Sequence, residues 1–234
     1  EMLRPSVMKK RMAFLSDEEI RAFETAIEKG GYYPDREELT LLEPLYDLLY
    51  VLIYADDYVA VPQEAAQAYQ RINTPEFQRV RQENCWMSRC LDVTGMLYRV
   101  ASVRVACRLL GVCIGREIRG KEFKNLYYNI PEEKRTCVLH DGLLISEDIF
   151  RRSTWQIYQD AQADVPFYIP KKEEIQEYST YGYPDSDDRY RGLKEFLLSE
   201  GQMDEEDARD SLSEIWEIFS SGTDFTEAAD MVEQ

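Results

Sequence analysis

The chain of 234 residues is long enough for one large or two small domains with a buried core. Hydrophobic residues make up 44% of it and aromatic residues 12%, which excludes a disordered acidic tail despite the formal net charge of −17. No apolar run approaches the roughly 18 residues that a membrane span needs, and the basic start "RPSVMKKRM" is not followed by the apolar core of a signal peptide. We therefore expect a cytoplasmic protein with no membrane partner.

Cysteine usage points to the same compartment. The five cysteines, at positions 85, 90, 107, 113 and 137, form no Cys-x-x-Cys pair, and the single histidine cannot complete a standard zinc set. We predict reduced thiols, as is typical of cytosolic proteins, and neither a metal site nor a cofactor.

The first half of the chain has the pattern of successive helices. The capping box "SDEE" predicts a helix over 16–30, and leucines at helical spacing predict a second over 36–54. A short extended piece, "YVAVP", precedes a helix over 63–72, and "TPE" opens another at 74. In "GMLYRVASVRVACRLL" the β-branched residues favour a strand, but the length of the run favours a helix over 95–110.

The second half contains one hairpin signal. Asp141-Gly142 lies between two short apolar runs and predicts a β-hairpin over 135–146, because glycine accepts the positive φ of a tight turn. A helix follows over 147–161, and the proline- and tyrosine-rich stretch 164–186 suggests a linker or domain boundary. The other predicted helices cover 171–180, 187–200 and 204–219, with a short acidic helix after Gly222.

These elements predict a mainly α fold with one short β-hairpin. We place a winged-helix-like N-terminal domain over 1–165 and a small acidic helical region over 166–234. The winged-helix layout would consist of a helix over 45–54, "YVAVP", the helix over 63–72, a further helix, and the hairpin as the wing. Residues 95–128 interrupt that order as a helical insertion.

A Ser-His-Asp or Cys-His catalytic arrangement could be built only around His140, the single histidine, and an enzyme without it would need a pocket of several carboxylates. The sequence contains no phosphate-binding loop, dinucleotide fingerprint, His-Glu-x-x-His or Gly-x-Ser-x-Gly motif. At the turn of a hairpin His140 would lack the burial and the orienting partner that a general base needs. We therefore predict no catalytic residue, and an unrecognised enzyme is the third of three functional hypotheses.

The charge is unevenly spread along the chain. Residues 71–124 contain 11 Lys and Arg against 5 Asp and Glu, whereas residues 171–234 contain 6 against 19. The basic segment could contact a nucleic-acid backbone, or its arginines could pair with the acidic residues of the chain across a domain interface. Its candidate nucleic-acid-binding residues are Arg99, Arg104, Arg108, Arg116 and Arg119.

The acidic C-terminal region offers a second kind of surface. Tyrosine is favoured at protein interfaces, and carboxylates attract a basic partner. The candidate partner-binding residues are Tyr168, Tyr178, Tyr181, Tyr183, Glu205 and Glu206. The same rings could instead pack between domains.

The C-terminal part also resembles a group of known proteins. The segments "HDGLLISEDI", "VPFYIPKKEEIQEY", "GYPDSDDRYRGLKEFLL" and "EIWEIFSSGTDFTEA", spread over about 95 residues, resemble uncharacterised intracellular proteins of Gram-positive bacteria. In those proteins a hairpin leads to a Tyr-Ile-Pro…Glu-Glu…Tyr segment and an acidic helical tail, sometimes beside a SEC-C metal-binding module. The cysteine cluster of that module is absent here, so the resemblance implies no metal role. It implies an adaptor or accessory role in a bacterial cytosol, with a link to mobile elements.

The first hypothesis is accordingly a non-enzymatic intracellular interaction or adaptor protein whose acidic surface recognises a basic protein partner. The alternative is a winged-helix-type DNA-binding regulator that uses the arginine-rich segment 71–124.

Overall fold

A computed structural model describes residues 2–220 of the chain, apart from the side chains of Glu133 and Ser220. Helices dominate it and the sheets are small, so the predicted mainly α fold with a short β-hairpin is confirmed. The chain forms two compact units that divide between Trp86 and Met87.

This division differs from the boundary expected between residues 165 and 166. The extended segment around that position packs within the second unit. The Tyr98 hydroxyl donates a hydrogen bond to the carbonyl of Tyr168, and the Tyr98 ring lies edge-on to Phe167 at 5.2 Å between centroids. The prolines of this segment therefore mark an extended strap rather than a change of compact unit.

The first unit is a small helical bundle with one hairpin. Its core contains residues of every helix, among them Met8, Phe23, Leu45 and Ile72, each less than 1% exposed. The elements are α1 Pro5–Arg11, α2 Asp17–Lys29, α3 Arg36–Asp47, β1 Leu52–Ile53, β2 Val59–Ala60, α4 Gln63–Ile72 and the start of α5 Pro75–Val93.

Local sequence signals fix the ends of α2. The Ser16 hydroxyl accepts from the backbone N–H of Glu19 at 3.0 Å, and the Glu19 carboxylate accepts from the backbone N–H of Ser16 at 2.5 Å. Gly30 follows the helix at a φ of +72°. The predicted capping box is confirmed.

The predicted helix over 36–54 is wrong beyond Asp47. Leu49 has a φ of +62°, and the backbone N–H groups of Tyr50 and Val51 both donate to the carbonyl of Leu45, which closes the helix. Tyr50 and Val51 are buried, so the apolar run continues into the core as a turn and a strand. The strand β1 pairs antiparallel with β2.

The second unit combines a three-stranded antiparallel sheet with helices. The sheet order is β3-β5-β4, so the first strand lies beside the last. The elements after α5 are β3 Val100–Ser102, α6 Val103–Ile114, α7 Gly120–Asn129, β4 Cys137–His140, β5 Leu143–Ser146, α8 Glu147–Arg151, α9 Trp155–Ala161, α10 Lys172–Tyr181, α11 Asp188–Ser199 and α12 Glu205–Ser220.

The predicted helix over 95–110 is wrong in its first half. The helix α5 ends in a π-helical turn at Thr94–Tyr98, and Arg99 has a φ of +59°, which redirects the chain into β3. Val100 pairs with Ile145 of β5, and both are buried. Pairing with a strand more than forty residues away thus makes this β-branched segment a strand rather than the first half of a helix.

The sheet is covered on both faces. Val100 and Ile145 point to one face and pack with Ile149 of α8 and Trp155 of α9. Because side chains alternate along a strand, Ala101 and Leu144 point to the other face, and both are buried.

The C-terminal helices follow the predicted order with two differences. The helix over 147–161 is divided at Ser153, whose φ is +56°, into α8 and α9. The acidic helix predicted after Gly222 lies outside the described residues. Between residues 2 and 220, no helix is long and apolar enough to cross a membrane.

Candidate functional site

The helix α7 follows α6 through a tight turn. Gly115 ends α6 at a φ of +72°, and the backbone N–H of Arg116 donates to the carbonyl of Gly111 at 3.2 Å, in the pattern of a Schellman motif. Ile118 within the turn is 5% exposed and fixes it to the core. The turn of residues 115–119 between α6 and α7 is therefore fixed by its hydrogen bonds and by a buried side chain.

One face of α7 is anchored to the hairpin. Phe123 and Tyr127 are buried. The Tyr127 hydroxyl donates to the carbonyl of Cys137 at 3.0 Å and accepts from the backbone N–H of Leu139 at 3.1 Å. These two hydrogen bonds anchor the helix to β4 of the hairpin.

The other face of α7 is exposed and carries no acidic side chain. Its residues follow the spacing i, i+3, i+4 and i+7 of a single helix face. They are Lys121, Lys124, Asn125 and Tyr128, and the Tyr128 side chain is 63% exposed. The lysines lie within the predicted basic segment, but Asn125 and Tyr128 were not candidates. The spacing around the apolar pair Phe123 and Tyr127 is the signal that could have identified them.

The hairpin turn is formed by Asp141 and Gly142, as predicted. Their φ values of +47° and +81° meet the requirement of a type I′ turn for two positive angles. The carbonyl of Gly142 also accepts from the backbone N–H of Val103 at 2.9 Å, which ties the turn to the start of α6.

His140 is the last residue of β4, not an open turn position. Its ring lies 5.5 Å from the ring of Phe150 and 5.8 Å from that of Trp155, and its Nε2 is 3.5 Å from a carboxylate oxygen of Asp141. The imidazole therefore covers one edge of the sheet. Within the described part of the chain, no group of three or more His, Cys, Asp or Glu side chains could hold a metal ion.

The candidate nucleic-acid-binding arginines have different environments. Arg99 is 18% exposed and pairs with Glu217 of α12 at 2.8 Å, as an internal ion pair would. Arg116 pairs with Glu122 at 2.7 Å, and this hydrogen bond holds the pKa of the Glu122 carboxyl below its usual value. Arg104 and Arg108 are exposed on α6, and Arg119 is exposed directly before α7.

The candidate tyrosines mostly pack on each other and on Trp216. Tyr178 lies 5.6 Å from the Trp216 ring, and Tyr183 is 1% exposed and stacks on Tyr190 at 5.6 Å. Because the Tyr183 ring is buried, it is not accessible to a binding partner.

The remaining partner-binding candidates lie on the surface. Tyr168 is 57% exposed with its hydroxyl on Glu174 at 2.8 Å, and Tyr181 is 36% exposed. Glu205 and Glu206 are exposed in the first turn of α12, where Glu205 pairs with Lys194 at 2.9 Å.

Comparison with known proteins gives no relative for this chain. No family model, no curated protein and no solved structure matches it.

Proposed function

We propose that residues 87–146 form a winged-helix DNA-binding module in which α7 is the recognition helix. The support is topological. A helix (the end of α5), a strand (β3), two helices joined by a turn (α6 and α7) and a hairpin (β4 and β5) follow each other, with the first strand beside the last. This is the order of a winged helix-turn-helix.

The assignment uses other elements than those expected from the sequence. The helices over 45–54 and 63–72 are not part of it, and residues 95–128, expected as an insertion, supply the strand and both helices of the motif. The wing is short, because only Asp141 and Gly142 lie between the strands of the hairpin.

The observation that supports the proposal most strongly is the exposed face of α7. A recognition helix enters the major groove, where lysines contact phosphates or guanine and asparagine can pair with adenine through two hydrogen bonds. Lys121, Lys124 and Asn125 supply these groups on one face, and Arg119 adds a charge before the first turn. The five free thiols are consistent with a cytoplasmic regulator.

The test is a fluorescence-anisotropy titration of the full chain with random-sequence duplex DNA at low and at moderate salt. We expect binding that weakens as salt rises, because phosphate contacts release counterions. The double substitution Lys121→Glu and Lys124→Glu should weaken binding at least about tenfold and lower the salt slope by about 2.

The matched control is Lys9→Glu with Lys10→Glu, two exposed lysines of α1 in the first unit. Both double variants change the net charge by the same amount, so a general repulsion of DNA would affect them equally. An equal loss in both, or the absence of binding by the unmodified chain at low salt, would refute the proposal. With a selected DNA site, Asn125→Ala should cost about 1–3 kcal/mol of discrimination at one base pair.

A second candidate function is recognition of a basic protein partner by α12. The observation that favours it is the exposed row of carboxylates at Asp207, Asp210 and Glu214 along that helix. In affinity capture, the unmodified chain should bind a specific basic protein that the double variant Asp210→Asn, Glu214→Gln does not bind. If the captured proteins are the same, this candidate fails.

A further inference from the structure

A groove runs along α6 on the surface of the second unit. Its volume is about 570 Å³. One wall is the face of α6 that carries Arg104, Arg108 and Val112, and the others are the turn before α7 and the extended strap before α10, which contribute Ile118 and Ile169. Its lining combines apolar side chains with the guanidinium groups of Arg104 and Arg108.

Arg104 and Arg108 are one helical turn apart and both exposed. Among the described residues, no carboxylate lies within 4.0 Å of either guanidinium. By contrast, Arg79, Arg81, Arg99 and Arg116 of the same basic segment each pair with a carboxylate. Like charges at i and i+4 destabilise a helix, and an anion between them removes that cost.

The other end of the groove has a different character. Val112 is 42% exposed, and Ile118 and Ile169 border it. Glu117 also lines this end, and Arg116 there is already paired with Glu122, so a second anionic group would be repelled by the Glu117 carboxylate. At 1.5 Å per residue, Arg104 and Val112 are about 12 Å apart along the helix axis.

We propose that this groove binds an amphipathic carboxylate, with its head between Arg104 and Arg108 and its apolar body on Val112, Ile118 and Ile169. Guanidinium groups suit a carboxylate because they donate two parallel hydrogen bonds to it. The apolar body would cover the water-exposed surface of Val112, which is 42% exposed, and of the half-buried Ile169. The head position lies about 9 Å from Val112 along the helix axis, so a chain of about ten carbon atoms is long enough to reach and cover Val112. This proposal does not depend on DNA binding.

Cys107 lines the groove and supplies a reporter for the test, and because it is only 9% exposed the modifying reagent has to be small. Cys85 is half-buried in the first unit and is an internal reference. The full chain is treated with a small thiol-modifying reagent, and modification at each cysteine is followed by peptide mass spectrometry. The probe is decanoate below its micelle concentration, compared with decanol and with acetate.

We expect decanoate to slow modification of Cys107 in a saturable way and to leave Cys85 unchanged, whereas decanol and acetate have no effect. Arg104→Gln with Arg108→Gln should abolish the protection, while the exposed pair Arg151→Gln and Arg152→Gln should retain it. Circular dichroism checks that both double variants are folded.

Four results would overturn the proposal. Equal protection by decanol would show an apolar site without a role for the arginines, and equal protection by acetate would show an anion site without a role for the groove. Absence of protection would show that no carboxylate binds there, and its persistence in the Arg104/Arg108 variant would show that the two arginines do not hold the carboxylate. A short acidic peptide is a further arm, and stronger protection by it than by decanoate would reassign the groove to a protein partner.

Discussion

Arg81 in the first unit and Arg104 in the second belong to the same basic segment of the sequence but lie in contrasting environments. Arg81 is 2% exposed, pairs with Asp17, and donates to the carbonyl of Leu15 at 2.5 Å. Arg104 is exposed and, among the described residues, has no carboxylate within 4.0 Å. One arginine fastens α5 to the start of α2, and the other is available to an anion. A basic segment can therefore mix cations that hold the fold together with cations that can bind a ligand.

The largest expected effect comes from replacing Arg81. Arg81→Met removes the charge but keeps an apolar stem of similar shape, and leaves the Leu15 carbonyl without this donor. We expect a loss of about 2–4 kcal/mol in the free energy of unfolding. The lower part of this range applies if water solvates Asp17, whose side chain is 49% exposed. Urea unfolding followed by circular dichroism measures it.

The matched control is Arg104→Met, which should change the free energy of unfolding by less than about 0.5 kcal/mol. If both variants lose the same stability, the contrast between the two arginines is wrong, and Arg104 has a structural role.

In the second unit, a neutral group, the Tyr127 hydroxyl, fastens α7 to β4. Tyr127→Phe removes only the hydroxyl that bonds the Cys137 carbonyl and the Leu139 N–H, so we expect a loss of about 1–2 kcal/mol, smaller than that of the ionic contact in the first unit. Tyr128→Phe, on the exposed face of the same helix, should have almost no effect. The same urea titration measures both, and a loss in Tyr128→Phe equal to that in Tyr127→Phe would contradict the anchoring role.

The predictable parts of the fold are those that neighbouring residues decide. The capping box at Ser16 and the turn at Asp141-Gly142 depend on side chains and φ angles within four residues, and both were predicted. The strand β3 was missed because three residues have no strand preference strong enough to outweigh a long helical pattern. It forms because Val100 meets Ile145, a contact that only the tertiary fold provides.

The candidate site shows the same limit. The sequence identified a basic segment, but not which of its cations point inward, since the buried Arg81 lies in the polar stretch "QRVRQEN" and the exposed Arg104 in the apolar stretch "ASVRVAC". Asn125 and Tyr128 lie outside any charge pattern, and they become candidates only once the apolar pair Phe123 and Tyr127 is taken to mark the buried face of the helix. The buried face of a helix, rather than the charge of the helix, thus identifies the residues that the helix exposes to a ligand.

The smallest expected effect is a pH dependence that separates the two contacts of Arg81. Partial burial alone would raise the pKa of Asp17, but the hydrogen bond and charge of Arg81 outweigh it and hold the pKa below 3.8. Because the pKa is lower in the folded state, the stabilisation by this pair is fully present well above pH 3.8 and is lost as the pH falls through the lower folded-state pKa.

The difference in unfolding free energy between the unmodified chain and Arg81→Met should thus stay constant from neutral pH to about pH 5 and shrink below pH 3.8. The corresponding difference for Arg104→Met should show no such change, because its guanidinium has no carboxylate within 4.0 Å in residues 2–220. Urea titrations across this range measure both differences. If the Arg81 difference persists in acid, its stabilisation comes from the Leu15 carbonyl and from packing rather than from Asp17. Arg81 would then act as a buried hydrogen-bond donor whose charge is incidental.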